Sequence, residues 1–151
     1  MKIDIIAVAR AKKGSYFDMI EEYKKRIKWN LTIHEVESKY TESQKCNQDE
    51  AEKILNLIDE KAITIVLDER GDGLRSMDFA RTIETFQNNS EHHIQFIIGG
   101  ADGLTDEIRD HANLLLSFGQ QTWPHLLARV MLLEQIYRAQ QILVGHPYHR
   151  E

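Results

Sequence analysis

Apolar residues in this chain form short, nearly continuous runs separated by longer amphipathic stretches. The runs are rich in β-branched residues or leucine and are the right length for buried strands: 3–9, 31–36, 62–67, 94–98 and 114–116. The stretches between them show helical spacing, with helices predicted to start at the caps Ser15 and Ser76 and to span 48–61, 104–111 and 124–143. This alternation predicts an α/β protein, with a mostly parallel sheet and helices on both faces.

One stretch, residues 94–129, has the layout of a ligand site. A buried strand leads into the glycine turn Gly99–Gly103, and the next strand leads into a polar loop, 117–123, before the last helix. Open α/β sheets bind ligands at the carboxyl ends of their strands, where such turns and loops meet. We also predict two loops elsewhere, at 38–47, which is polar and aperiodic, and at 68–73, which is rich in turn residues.

Size and composition indicate a single soluble domain spanning residues 1–151. A hydrophobic share of 42% is ordinary for a globular protein and argues against disorder. The one cysteine, Cys46, excludes an internal disulfide, and no nucleophile pattern surrounds it. No secretory leader is recognisable and no apolar run approaches the roughly 20 residues that span a bilayer. We therefore expect a cytoplasmic protein without a membrane segment.

The charge balance bears on any nucleic-acid partner. A net charge of -5 counts against a dedicated nucleic-acid binder, which is usually basic. Basic residues are nevertheless concentrated locally, in the loop that contains Lys12 and Lys13 and on the first helix from Lys24 to Lys28. The helix residues are either a solvated face or a phosphate-contacting patch, and the sequence leaves both interpretations open.

The glycine turn does not match the common nucleotide-binding motifs. A dinucleotide fingerprint needs Gly-x-Gly-x-x-Gly after the first strand, whereas Gly99, Gly100 and Gly103 follow the fourth. The double glycine indicates only that the backbone passes close to a ligand or to another chain segment. His146 and His149 lie three residues apart without a third ligand, so we predict no metal site.

Several motifs along the chain are distinctive when they are taken together: 5–8, 67–71, 97–104, 117–125 with Arg129, 134–139 and 146–151. The Pro124-His125 pair and the terminal His-Pro-Tyr-His-Arg motif are the most specific of them. Together they resemble the ribosomal RNA large subunit methyltransferase H family, which belongs to the SPOUT methyltransferases, and the likeness covers the whole chain.

The resemblance implies a particular fold, cofactor and substrate. The parallel sheet would end in a C-terminal deep trefoil knot, and the protein would act as a homodimer. It would use S-adenosylmethionine to methylate N3 of a pseudouridine in 23S rRNA, in the intersubunit stem-loop of the assembled ribosome. The cofactor contacts carried over from the family are Leu67, Gly99, Phe118, Gly119, Gln120, Gln121, Thr122 and Trp123.

This sequence departs from the family pattern at two positions. Asp72 stands where a lysine is expected, which changes the local charge, and Trp123 stands where a smaller apolar residue is usual. A tryptophan there would make the wall of the cofactor pocket bulkier.

The terminal motif suits the chemistry that the resemblance implies. An imide nitrogen is a poor nucleophile until it loses its proton, so we predict His149 as the base, with Arg150 stabilising negative charge and Tyr148 stacking on the nucleobase. The alternative is that this tail only docks the last helix. Arg129 and Arg138 would point outward from that helix, towards RNA or a second subunit. A non-enzymatic α/β module that binds a nucleotide or the ribosome is the competing function.

Overall fold

The alternation of elements is confirmed in the computed structural model of the protein, which describes residues 1–150. Its elements are β1 (Lys2–Val8), α1 (Ser15–Arg26), β2 (Asn30–Val36), α2 (Ser43–Leu57), β3 (Ile63–Gly73), α3 (Ser76–Asn88), β4 (His93–Ile98), α4 (Asp106–Asp110), β5 (Leu114–Ser117) and α5 (His125–Leu143). The strands form one sheet in the order β2-β1-β4-β3-β5, and every neighbouring pair is parallel. Their carboxyl ends therefore all lie along one edge.

Both faces of the sheet are covered, as predicted, because the central strands are apolar at nearly every position. In β1, Ile3, Ile5 and Ala7 face a core shared with α1, α3 and α5. Ile6 and Val8 face a second, smaller core on the opposite side, formed with α2 and α4. Alternate side chains of a strand point to opposite faces, so a strand buried on both faces appears as a continuous apolar run. Within residues 1–150, no helix has the length and apolar character needed to cross a bilayer.

The predicted loop at 68–73 is wrong, because β3 continues to Gly73. The residues between Leu67 and Asp72 form an excursion, and both of these residues pair with Leu116 of β5. A Cβ on Gly71 would lie 2.6 Å from the backbone carbonyl atoms of Leu115, so the excursion crosses β5 at very short range. The trefoil knot stays a prediction, and this crossing is compatible with it.

The boundaries of α2 also differ from the prediction. The helix begins at Ser43, inside the stretch predicted to be a loop, and ends at Leu57. Its polar first turns give no apolar period to read, but Asn47 donates a hydrogen bond to the carbonyl of Asp102, 3.1 Å away. Ala51 and Ile54 then anchor the helix in the smaller core. The first turns of α2 therefore contact the glycine turn.

Arg129 does not point outward as predicted. It is 1% exposed, its Nη1 lies 2.7 Å from a carboxylate oxygen of Glu35, and its Nη2 donates to the carbonyls of Val8 and Ala9. The same oxygen of Glu35 accepts the N–H of Ala11. Burial pushes the pKa of Glu35 up, but the donors Ala11 and Arg129 hold it below its usual value. Arg129 thus fastens the carboxyl end of β1 to α5.

Candidate active site

A cleft of about 890 Å³ lies at the carboxyl ends of β3, β4 and β5. This volume is in the range of small-molecule sites. The cleft brings together all of the predicted cofactor contacts except Gln120, and those that line it are Leu67, Gly99, Phe118, Gly119, Gln121, Thr122 and Trp123. Seven of the eight predicted cofactor contacts therefore lie around one cleft.

The glycine turn forms one wall of this cleft. It is closed by a hydrogen bond from the N–H of Gly103 to the carbonyl of Gly100, with Gly103 at a φ of 76°. A Cβ on Gly99 would lie 2.8 Å from Cγ of Leu104, and one on Gly100 would lie 2.7 Å from Cγ1 of Val8. Both glycines are required by the chain's own packing, which leaves the opposite side of the turn free to contact a ligand.

The loop after β5 forms the facing wall and is held by its own side chains. The hydroxyl of Ser117 donates to the carbonyl of Gly119 and accepts that residue's N–H, and Gly119 has a φ of 110°. The indole N–H of Trp123 donates to the carbonyl of Phe118, 3.2 Å away. The tryptophan that departs from the family pattern therefore closes the loop on itself as well as lining the cleft.

Sequence reasoning missed the charged part of the cleft wall. Asp68 and Arg70 follow Leu67 in β3, and Arg109 reaches them from α4. The carboxylate of Asp68 lies 2.6 Å from Nε of Arg109 and accepts the N–H of Arg70. Burial raises the pKa of Asp68, but the hydrogen bonds from Arg109 and Arg70 bring it below its usual value. Asp68 and Arg70 directly follow the apolar run 62–67, and this position could have indicated a role in the site. Nothing in the sequence around Arg109 indicates one.

The predicted catalytic tail does not line the cleft of its own chain; it packs on the side of α5. The hydroxyl of Tyr148 donates to Glu134, 3.0 Å away, and its ring meets that of Tyr137 with the centroids 4.8 Å apart. Arg138 pairs with Glu134 at 2.8 Å and also donates to Nδ1 of His149 at 3.1 Å.

These contacts affect the pKa of Tyr148 and the position of the ring hydrogen of His149. Burial raises the pKa of Tyr148, and the neighbouring Glu134 raises it further. Since Nδ1 of His149 accepts from Arg138, the ring hydrogen is assigned to Nε2, which is buried and has no partner within residues 1–150. Arg150 is exposed. Arg138 is thus paired within its own chain, with Glu134 and His149, and does not point outward as predicted.

In the sequence, His146 together with His149 is the pair to consider as a possible metal site. Nδ1 of His146 accepts the backbone N–H of Tyr148, which is a turn contact. In the part of the chain that the structure describes, no cluster of three or more histidine, cysteine or acidic side chains is placed to hold a metal ion. Glu151, the last residue of the terminal motif, lies outside the described residues.

The fold is shared with solved methyltransferase structures. A probable methyltransferase from Bordetella pertussis superposes with a TM-score of 0.60 at 10% identity, over 91% of this chain and 95% of that one. The SpoU methyltransferase AviRb from Streptomyces viridochromogenes gives a TM-score of 0.53 at 13% identity, over 96% of this chain and 61% of that one. At such low identity, the likeness defines the fold as that of this class of methyltransferase and nothing finer.

Sequence comparison identifies the family. A family model described as a predicted SPOUT methyltransferase matches residues 1–149. Ribosomal RNA large subunit methyltransferase H of Rhodospirillum centenum is 50% identical, over 99% of this chain and 99% of that protein. The protein of that name from Zymomonas mobilis is 41% identical, over 100% of this chain and 99% of its own.

The chain therefore belongs to the ribosomal RNA large subunit methyltransferase H family, within the SPOUT methyltransferases. S-adenosylmethionine is the methyl donor of that class. The predictions of family, enzyme class and cofactor are confirmed. The assignment of individual residues to cofactor binding and catalysis stays a prediction.

Proposed function

We propose that the protein transfers the methyl group of S-adenosylmethionine to N3 of a pseudouridine in 23S rRNA, in the intersubunit stem-loop of the assembled ribosome. The observation that carries this proposal is the cleft at the carboxyl ends of β3, β4 and β5, where the cofactor contacts expected for the family converge. The full-length relatives named for methylation of large-subunit ribosomal RNA support the choice of substrate.

The residues of the cleft suit the cofactor. Leu67 and Phe118 offer apolar walls for the adenine ring, and the backbone from Gly119 to Thr122 offers groups for its hydrogen-bonding edge. The glycines of the Gly99–Gly103 turn offer backbone without side chains to the ribose and methionine parts of the cofactor. When bound, the cofactor supplies an electrophilic sulfonium methyl, so the chain's own residues need only bind, orient and deprotonate the acceptor.

Proton removal is the step for which the tail is proposed. The imide nitrogen becomes nucleophilic once its proton leaves, and His149 is our candidate to accept it. Arg150, exposed beside it, would stabilise the negative charge that remains on the nucleobase or bind phosphate, and Tyr148 would stack on the base. In the single chain Tyr148 is hydrogen-bonded to Glu134 and His149 to Arg138, outside the cleft.

A homodimer would bring cleft and tail together. Leu126, Leu127 and Met131 of α5 are only partly buried and belong to neither core, and Val144 just beyond the helix is 72% exposed. An apolar surface of this kind is typical of a subunit interface. We propose that a second copy covers it and that the tail of each subunit serves the cleft of the other.

The experiment that tests the function uses ribosomes from a strain lacking this gene. We expect the purified protein to transfer label from S-adenosylmethionine to 23S rRNA in these ribosomes, and mass spectrometry to place one methyl group on a pseudouridine. Free 23S rRNA is the matched substrate control. The competing function, a non-enzymatic module, predicts binding to ribosomes or nucleotides with no label transferred at any cofactor concentration.

The local basic residues give a second prediction. Lys12 and Lys13 are exposed, have no ion pair among residues 1–150, and follow β1, whose carboxyl end adjoins β4 at the edge that holds the cleft. On α1, Lys24 pairs with Glu21 and Arg26 with Glu22, which favours a solvated position for these two residues. Because the loop after β1 lies at the edge that holds the cleft, we assign the phosphate contacts to it.

Reversing one of these charges should weaken RNA binding alone. We expect Lys13→Glu to raise the KM for ribosomes. The plot of the logarithm of the binding constant against the logarithm of the salt concentration should become less steep by about 1, because one phosphate contact is lost. The Kd for S-adenosylmethionine should not change. Lys61→Glu, at the opposite edge of the sheet, is the control and should leave all three values as they are. If the two variants show the same salt dependence, the loop after β1 does not contact the phosphates of the RNA.

A further inference from the structure

The first turns of α2 lie directly behind the glycine turn that forms one wall of the cleft. Asn47 donates to the carbonyl of Asp102 at 3.1 Å. One turn further along the helix, Ala51 and Ile54 pack in the same core as Val8 and Leu104. The helix and the turn are thus in contact, and Asn47, Ala51 and Ile54 do not themselves line the cleft.

Glu50 is the unexplained residue of this contact. It is 8% exposed, and within residues 1–150 the only hydrogen bond to its carboxyl comes from the thiol of Cys46, at 3.1 Å from Oε1. A thiol is a weak donor, and a buried carboxyl group normally has stronger partners. The hydrogen bond to Glu50 also raises the pKa of the Cys46 thiol, which keeps it protonated as the donor.

The second oxygen of Glu50 is directed at the glycine turn. Oε2 lies 3.5 Å from the point where a Cβ on Gly100 would be, while Val8 fills the rest of that space. Gly100 has no side chain to separate its backbone from this carboxyl group. A turn with glycines at positions 99, 100 and 103 is costly to order, because glycine loses more conformational freedom than any other residue.

We propose that Glu50 is a positioning residue of the cofactor cleft, which holds the Gly99–Gly103 turn from behind in the conformation that receives S-adenosylmethionine. The proposal rests on the function proposed above. Glu50 does not line the cleft and acts only through the turn. A turn that is ordered before the cofactor arrives lowers the entropy cost of binding, and affinity gained in this way needs no direct contact.

The test measures cofactor binding and local order separately. We expect Glu50→Ala to raise the Kd for S-adenosylmethionine and for its demethylated product by about tenfold each, because a turn without the carboxyl group behind Gly100 has to be ordered when the ligand binds. Glu50→Gln, which keeps the shape, should give a smaller increase. The KM for the cofactor should follow the Kd, with a much smaller change in kcat. Glu52→Gln, an exposed change on the same helix, is the control.

Hydrogen exchange in the free protein provides the readout that needs no ligand. The amides of 99–103 should exchange faster in Glu50→Gln than in the wild type, while those of β1 and β4 keep their protection. Unchanged exchange in the turn together with an unchanged Kd would overturn the proposal, whatever happens to global stability. If the wild type itself failed to bind S-adenosylmethionine, the proposed function would fall, and the exchange rates would still test the role of Glu50.

Discussion

Gly71→Ala should destabilise the protein by about 3 kcal/mol, the upper part of the range for overpacking a tightly packed site. The new Cβ would lie 2.6 Å from both the carbonyl carbon and the carbonyl oxygen of Leu115, and 2.8 Å from the amide nitrogen of Leu116. These are backbone atoms of β5, so no side-chain rotation can relieve the contact. The strand or the excursion of β3 has to move.

Gly73→Ala is the matched control, because its Cβ would have no heavy atom within 4 Å. Urea unfolding of the two variants beside the wild type measures the difference in the free energy of unfolding. A Gly71→Ala protein that cannot be obtained folded, while Gly73→Ala can, is the extreme form of the expected result. Equal stabilities would mean that the excursion does not cross β5 at this range. The crossing lies next to Leu67 and Leu116, so a shift there would also reach the cleft.

The strands and their common edge were predictable from the sequence for a simple reason. Residues such as Ile5, Ile6 and Phe96 are buried on one or the other face of a covered sheet, so each strand appears as an unbroken apolar run. Parallel strands place their carboxyl ends together, which is why the turn after β4 and the loop after β5 could be expected to meet. The particular cofactor contacts came from the resemblance to the family.

What could not be predicted depends on contacts between residues distant in sequence. Arg129 is charged and lies on a helix, yet it is buried, because Glu35 and two carbonyls at the end of β1 receive it. The first turns of α2 contact the carbonyl of Asp102, 55 residues after Asn47. The spacing of apolar residues does not indicate which polar residues meet in the fold. Arg129 and the first turns of α2 were therefore both predicted to be exposed or irregular.

The position of the tail could not be read from the sequence either. The terminal motif and the glycine turn both suggested one active site, but the structure gives them separate places on one chain. A linear motif states which side chains exist and not which subunit uses them. This separation leads to the second large effect, which concerns activity.

His149→Ala should lower kcat by at least about 100-fold, as expected for the loss of a general base, with the Kd for S-adenosylmethionine unchanged. His146→Ala is the control, because that ring is exposed and accepts a hydrogen bond from a backbone N–H only, that of Tyr148, within residues 1–150. Full activity in His149→Ala would assign the base to another group. The cofactor Kd is measured by calorimetry and kcat by label transfer to ribosomes that lack the methyl group.

A mixed dimer then decides which subunit's tail serves a given cleft. Thr122→Arg, in the exposed loop that lines the cleft, should block cofactor binding in one subunit, and His149→Ala should disable the tail of the other. Each variant alone should be inactive. If the tail works in the neighbouring cleft, the purified heterodimer has one complete site of two and should recover about half of the wild-type rate. If the tail works in its own cleft, neither subunit is complete, and an inactive heterodimer that still binds one cofactor would refute the shared site.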